Sequence, residues 1–87
     1  MSAALSDAAE KARELKDAFD QYDQATEALE SCVVGTEEFT KALQAANTEA
    51  SNLLALYPEL YGFISETGEK AVTYENGQVK IADWARK

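Results

Sequence analysis

The chain has 87 residues, a 46% hydrophobic share and 8 Lys+Arg against 16 Asp+Glu, for a net charge of −8; it should form one small domain, near the lower size limit for folding without staples. That acidity argues against nucleic acid and anionic lipid as partners, because affinity for phosphates comes chiefly from Lys and Arg displacing counterions. Cys32 is the single cysteine, so no internal disulfide can form, and the absence of His removes the usual general base and the commonest metal ligand.

In chain order, apolar positions recur at Leu5, Ala8, Ala12, Leu15, Phe19, Tyr22, Thr26, Leu29 and Val33, in steps of three and four. This spacing predicts a helix over 6–31 with the heptad seam that two packed helices share. Ser6 or Ser2 can cap it, with Asp7 and Glu10 near the positive end of the helix dipole. Cys32, next to Val33 and Val34, reads as a small buried hydrophobe. Asp17, Asp20 and Asp23 follow helical spacing rather than the alternate spacing and central Gly of a calcium loop, so they read as a solvated face.

Thr36 is a good N-cap, followed by Glu37 and Glu38, and the seam Phe39, Leu43, Ala46, Ala50, Leu53, Tyr57 predicts a second helix over 36–57. Two seams joined by a short link at Gly35 predict an antiparallel helical hairpin, with a single unbroken helix as the competing reading. Pro58 disfavours helix at Tyr57 but suits the first turn of a new one, which predicts a kinked continuation of the second helix or a short third helix over 58–67, closed by a left-handed Gly68.

Asn76-Gly77 then sits between two alternating runs, the strongest short-range hairpin signal. A type I′ turn there predicts strands over 71–75 and 78–82, with Val72, Tyr74, Val79 and Ile81 on one apolar side. A lone two-stranded hairpin is marginal in water, so this side should cover the aromatic segment around Tyr57, Tyr61 and Phe63. Asp83 reads as an N-cap and 83–87 as the start of a further helix, with Trp84 as a core anchor, which suggests a piece of a longer chain. The fold expected is mainly α (α+β): a helical hairpin, a short third helix and a C-terminal two-stranded β-hairpin.

Alanine supplies much of the hydrophobic share and buries little area, so the core should lean on large residues: Leu15, Leu29, Leu43, Leu53, Leu54, Leu56, Leu60 and Ile64. Phe19, Tyr22, Phe39, Tyr57, Tyr61, Phe63, Tyr74, Val79, Ile81 and Trp84 are the candidate packing and interaction residues. No catalytic, metal-binding or cofactor-binding residue is expected, and no signal peptide or membrane-length apolar run is present in the sequence.

Residues 53–87, with Leu53, Leu54, Tyr57, Pro58, Glu59, Leu60, Asn76, Gly77, Val79 and Ile81 carrying the likeness, resemble segments of bacteriophage tail tape-measure proteins. Those carry a long helix, a Tyr-Pro-Glu-Leu type joint, a short helix, an Asn-Gly hairpin and another long helix. The resemblance implies a non-enzymatic scaffold segment that helps set tail length, with copies of itself or tail-assembly proteins as partners. It would reside in the bacterial cytoplasm during assembly or in the virion tail. The alternative is a free-standing acidic helical-hairpin module that docks a protein partner. The hairpin should act as a plug on the helical pair, so Tyr74→Asp or Val79→Asp should lower the melting temperature by several degrees, the effect of losing ~1–3 kcal/mol in so small a domain.

Overall fold

A computed structural model describes residues 3–86. Helix α1 (Ala3–Glu30) and helix α2 (Glu37–Leu56) pack along one another as an antiparallel hairpin, followed by a 3₁₀ helix (Pro58–Gly62), strands β1 (Val72–Glu75) and β2 (Gln78–Ile81), and a 3₁₀ helix (Asp83–Arg86). The fold is therefore mainly α with a β-hairpin, as expected. Ser6 falls inside α1, and the other candidate cap, Ser2, lies outside the described residues. The Thr36 hydroxyl accepts the Phe39 N–H at 3.2 Å, with Glu37 and Glu38 in the first turn of α2. At the other end the Tyr57 N–H donates to the Leu53 carbonyl at 2.8 Å, and Pro58, lacking an N–H, ends the α-helical ladder.

The predicted helix over 58–67 is corrected. Only Pro58–Gly62 is helical; beyond it the chain straightens, and Ile64 bridges antiparallel to Lys70. The Ser65 N–H donates to the Glu69 carbonyl (2.8 Å) and the Ala71 N–H to the Phe63 carbonyl (2.9 Å), while the Gly68 N–H reaches the Ser65 carbonyl at 3.0 Å. Gly68 is left-handed, with φ +89°, but it closes a tight turn between extended arms instead of ending a helix. The Ser65 hydroxyl accepts the Glu69 N–H at 3.0 Å, a local bond that competes with helix, and the β-branched Ile64 beside it favours extension.

The β-hairpin has the predicted register: Val72 faces Ile81, Thr73 faces Lys80, Tyr74 faces Val79 and Glu75 faces Gln78. Asn76 and Gly77 both have positive φ, 52° and 79°, as a type I′ turn requires. The pairing is one residue shorter at each outer end than predicted. The chain bends at Ala71, whose N–H bonds Phe63 on one side while its carbonyl accepts the Ala82 N–H on the other.

The core joins Phe19 and Tyr22 of α1, Ala50, Leu53 and Leu54 of α2, Leu60, and Ala71, Val72, Ile81 and Ala85. Leu15, Tyr57, Phe63, Val79 and Trp84 pack against it half-buried, and Tyr57 meets Phe63 edge-on with ring centroids 5.6 Å apart. Phe39 and Leu43 are also half-buried, towards the interhelical turn. Small residues matter more than composition suggested: Ala46 and Ala50 are fully buried in α2, where their size lets α1 approach closely.

Three expected core residues are exposed, namely Tyr61 (60%), Ile64 (62%) and Tyr74 (69%). In a helix Ile64 would share the face of Leu60, four residues before it, and the extended chain removes that alignment; Tyr61, next to Leu60 within the 3₁₀ turn, points off that face. Cys32 is half-exposed rather than buried, and Val33 and Val34 beside it are exposed in the interhelical turn. At the C-terminus, Asp83 sits within the 3₁₀ turn, and Lys87, the end of the predicted further helix, lies outside the described residues.

Leu53 is fully buried, so Leu53→Ala should cost about 2–5 kcal/mol, read as a fall of roughly 10 °C or more in thermal unfolding followed by circular dichroism. Tyr74→Ser should stay within about 0.5 kcal/mol of the parent; of the two Asp substitutions above, only Val79→Asp should destabilise.

Candidate functional site

The hairpin meets the helices through the outer edge of β2. The Val79 N–H donates to Asn47 Oδ1 on α2, and Asn47 Nδ2 donates to the Gly77 carbonyl, both at 2.9 Å. Two residues further on, the Ile81 N–H donates to the Tyr22 hydroxyl of α1 at 2.9 Å. Main-chain groups brought against a packed surface must be bonded, and here one amide and one phenol from two helices perform the role of a neighbouring strand. Asn47 and Tyr22 both lie on core-facing or flanking positions of their helices, set there by the 3–4 seam.

Tyr22 is buried, and that burial raises its phenol pKa above the usual value, because the ionised form would lose solvation. The bond from Ile81 opposes the shift, the carboxylates of Asp23 and Asp83 add to it, and Lys80 lowers it.

Two grooves flank this junction. One, of about 600 Å³, lies between the C-terminal half of α1 and the polar side of the sheet, with Asp23, Thr26 and Glu30 on one wall and Glu69, Lys70, Thr73, Lys80 and Asp83 on the other. The second, of about 380 Å³, runs beside Ala12, Leu15, Phe19, Tyr57 and Ala85. No group of three or more His, Cys, Asp or Glu side chains able to hold a metal occurs among the described residues. The first groove carries four carboxylates and two lysines, and no nucleophile–base pair is assembled in it.

Of the candidate interaction residues, Phe19, Tyr22 and Ile81 join the core, while Phe39, Tyr57, Phe63, Val79 and Trp84 are half-buried. Tyr61 and Tyr74 face solvent, and the turn residues Asn76 and Gly77 occupy the tip beside Asn47. The Trp84 indole N–H is buried without an acceptor among the described residues. Sequence reasoning missed Asn47 altogether. A polar residue one step from the α2 seam was the available signal, but pairing it with Val79 and Gly77 requires knowing where the hairpin lies.

None of the described helices is long and apolar enough to cross a membrane. No protein-family model, curated protein or solved structure matches the chain.

Asn47→Ala should cost about 1–3 kcal/mol by leaving the Val79 N–H unbonded at a half-buried site, and amide exchange at Val79 should quicken while exchange within α1 does not. The Tyr22 shift has a definite sign. Its contribution is complete below the unfolded phenol pKa of 10.0 and is lost as pH rises towards the folded value, since the unfolded chain releases the proton first. Urea midpoints of the parent and Tyr22→Phe should therefore converge above that pH.

Proposed function

We propose that the chain is a non-enzymatic structural segment of a tail length-determining scaffold of the tape-measure kind, from a phage or prophage, and that it works through shape and protein contacts. The observation that carries this reading is the joint itself. Tyr57, Pro58, Glu59 and Leu60 turn the chain out of α2, and the Asn76-Gly77 hairpin packs back near that turn through Leu60 and Val72. Ahead of the joint, α1 runs 28 residues against 20 for α2, about 42 Å against about 30 Å. Residues 7–14 are all exposed, so the seam positions Ala8 and Ala12 are left uncovered by this chain.

Fold-back supports a second reading, a free-standing acidic interaction module. The molecule is 54 Å in its longest dimension, whereas 87 residues of continuous helix would reach about 130 Å. A ruler gains little length from such a piece. In both readings the partners are proteins, copies of this chain or tail-assembly components in the first.

The encoding frame and its neighbours distinguish the two. A frame of several hundred codons beside tail genes is expected; a solitary frame with a stop codon directly after Lys87 would overturn the scaffold reading in favour of the module.

A further inference from the structure

We propose that Asn76-Gly77, at the tip of the β-hairpin, is a site of self-modification in water, where Asn76 loses its side-chain amide as ammonia, and that Asn47 is the latch restraining the reaction. The inference does not depend on the tail reading. Both reacting groups stand free. Asn76 and Gly77 are exposed, and neither the Asn76 side-chain amide nor the Gly77 N–H makes a hydrogen bond among the described residues. No atom lies within 4 Å of where a Cβ would stand on Gly77, so its nitrogen is open to approach.

The chemistry needs only water besides the chain. The Gly77 nitrogen gives its proton to solvent and bonds to Asn76 Cγ. The Cγ–Nδ2 bond breaks, and the amide nitrogen, taking a proton from water, leaves as ammonia. A cyclic imide remains, closed through Cα, Cβ, Cγ and the main-chain carbonyl carbon of Asn76. Water then opens the ring. Attack at Cγ leaves aspartate at position 76; attack at the main-chain carbonyl carbon leaves isoaspartate, whose chain runs through Cβ and Cγ and is longer by one methylene. Either product adds one negative charge to the −8 of the chain.

The fold decides how often this occurs. Ring closure requires the Gly77 nitrogen to swing to the Cβ side of Asn76 about the Cα–C bond. Asn76 has φ 52°, and a type I′ turn sets its ψ at about +30°, on the far side from Cβ. The turn must therefore open first. Asn47 on α2 holds it shut from outside: Nδ2 donates to the Gly77 carbonyl and Oδ1 accepts the Val79 N–H, both at 2.9 Å. Opening against a few exposed bonds is a local event, separate from global unfolding. Asn47 and Asn52, the other asparagines, lie within α2 and precede Thr48 and Leu53, whose N–H groups belong to the helical ladder. Neither should react. Isoaspartate does not fit the tip, because its extra methylene displaces Gly77 from Asn47 and disturbs the pairing of Glu75 with Gln78. Modification thus unlatches the hairpin irreversibly.

The whole chain, kept at neutral pH for weeks, is followed by intact mass and by peptide mapping for isoaspartate. Position 76 alone should convert, more slowly than in the urea-unfolded chain. Asn47→Ala should speed conversion about fivefold or more. Asn47→Asp, which keeps the acceptor for Val79 and loses only the donor to Gly77, should also speed it. Circular dichroism establishes that both variants are folded; if they are not, sub-denaturing urea decides in the parent, where the rate at 76 should climb before ellipticity falls. The purified isoaspartate form should show faster amide exchange at Val79 and unchanged exchange within α1. No conversion at 76 in the folded parent, equal conversion at Asn47 or Asn52, or folded Asn47 variants that react at the parent rate would each overturn the inference. So would a parent rate that rises only with global unfolding.

Discussion

Once apolar residues draw the hairpin onto the helices, the main-chain donors along β2 lose water and must find acceptors. Asn47 and Tyr22 provide them, one from each helix. A two-stranded sheet is marginal by itself, and these bonds fix which edge turns inward. The burial pattern follows from that orientation: Val72 and Ile81 reach the core, Val79 is half-covered, and Tyr74 stands clear although it shares their side of the sheet.

The helical pair beneath is held by large residues on α1 and by both small and large ones, Ala46, Ala50, Leu53 and Leu54, on α2. Phe19, Tyr22 and Leu29 are buried on α1, while Ala46 and Ala50 on α2 leave room for them. Because α2 is the shorter helix, the first turns of α1 extend beyond its partner and the molecule is long and flat, 54 × 29 × 16 Å. The surface ion pairs described, such as Lys16–Asp20 at 3.2 Å, are exposed and add little to stability. Shape here comes from packing, with charge distributed over the outside.

That division suits a part whose role is mechanical. Tyr22, whose phenol pKa is raised by burial, is occupied as a structural acceptor. The polar groove beside it mixes acidic and basic side chains, and of the exposed large apolar residues Tyr61, Ile64 and Tyr74 lie between the joint and β1, while Val33 and Val34 lie at the interhelical turn. A protein neighbour could use either feature; both are consistent with the scaffold and the adaptor readings alike.

Local chemistry was legible from the residues alone. The 3–4 seams, Thr36 as a cap, Pro58 as a stop and Asn76-Gly77 as a type I′ turn each act within a few residues, so both helices and the strand register could be derived from order. The stretch 63–67 was misread as helix because its propensities are balanced, and pairing of Phe63 and Ile64 with the chain before β1 tipped it to extension. Which face of each element is covered was beyond local reasoning. Tyr74 and Val79 have the same alternation, yet one is exposed, and Asn47 has no distinguishing neighbour in the sequence. Those outcomes depend on how the hairpin tilts against two helices far away in the chain, a matter of satisfying particular donors in space rather than of any periodicity along it.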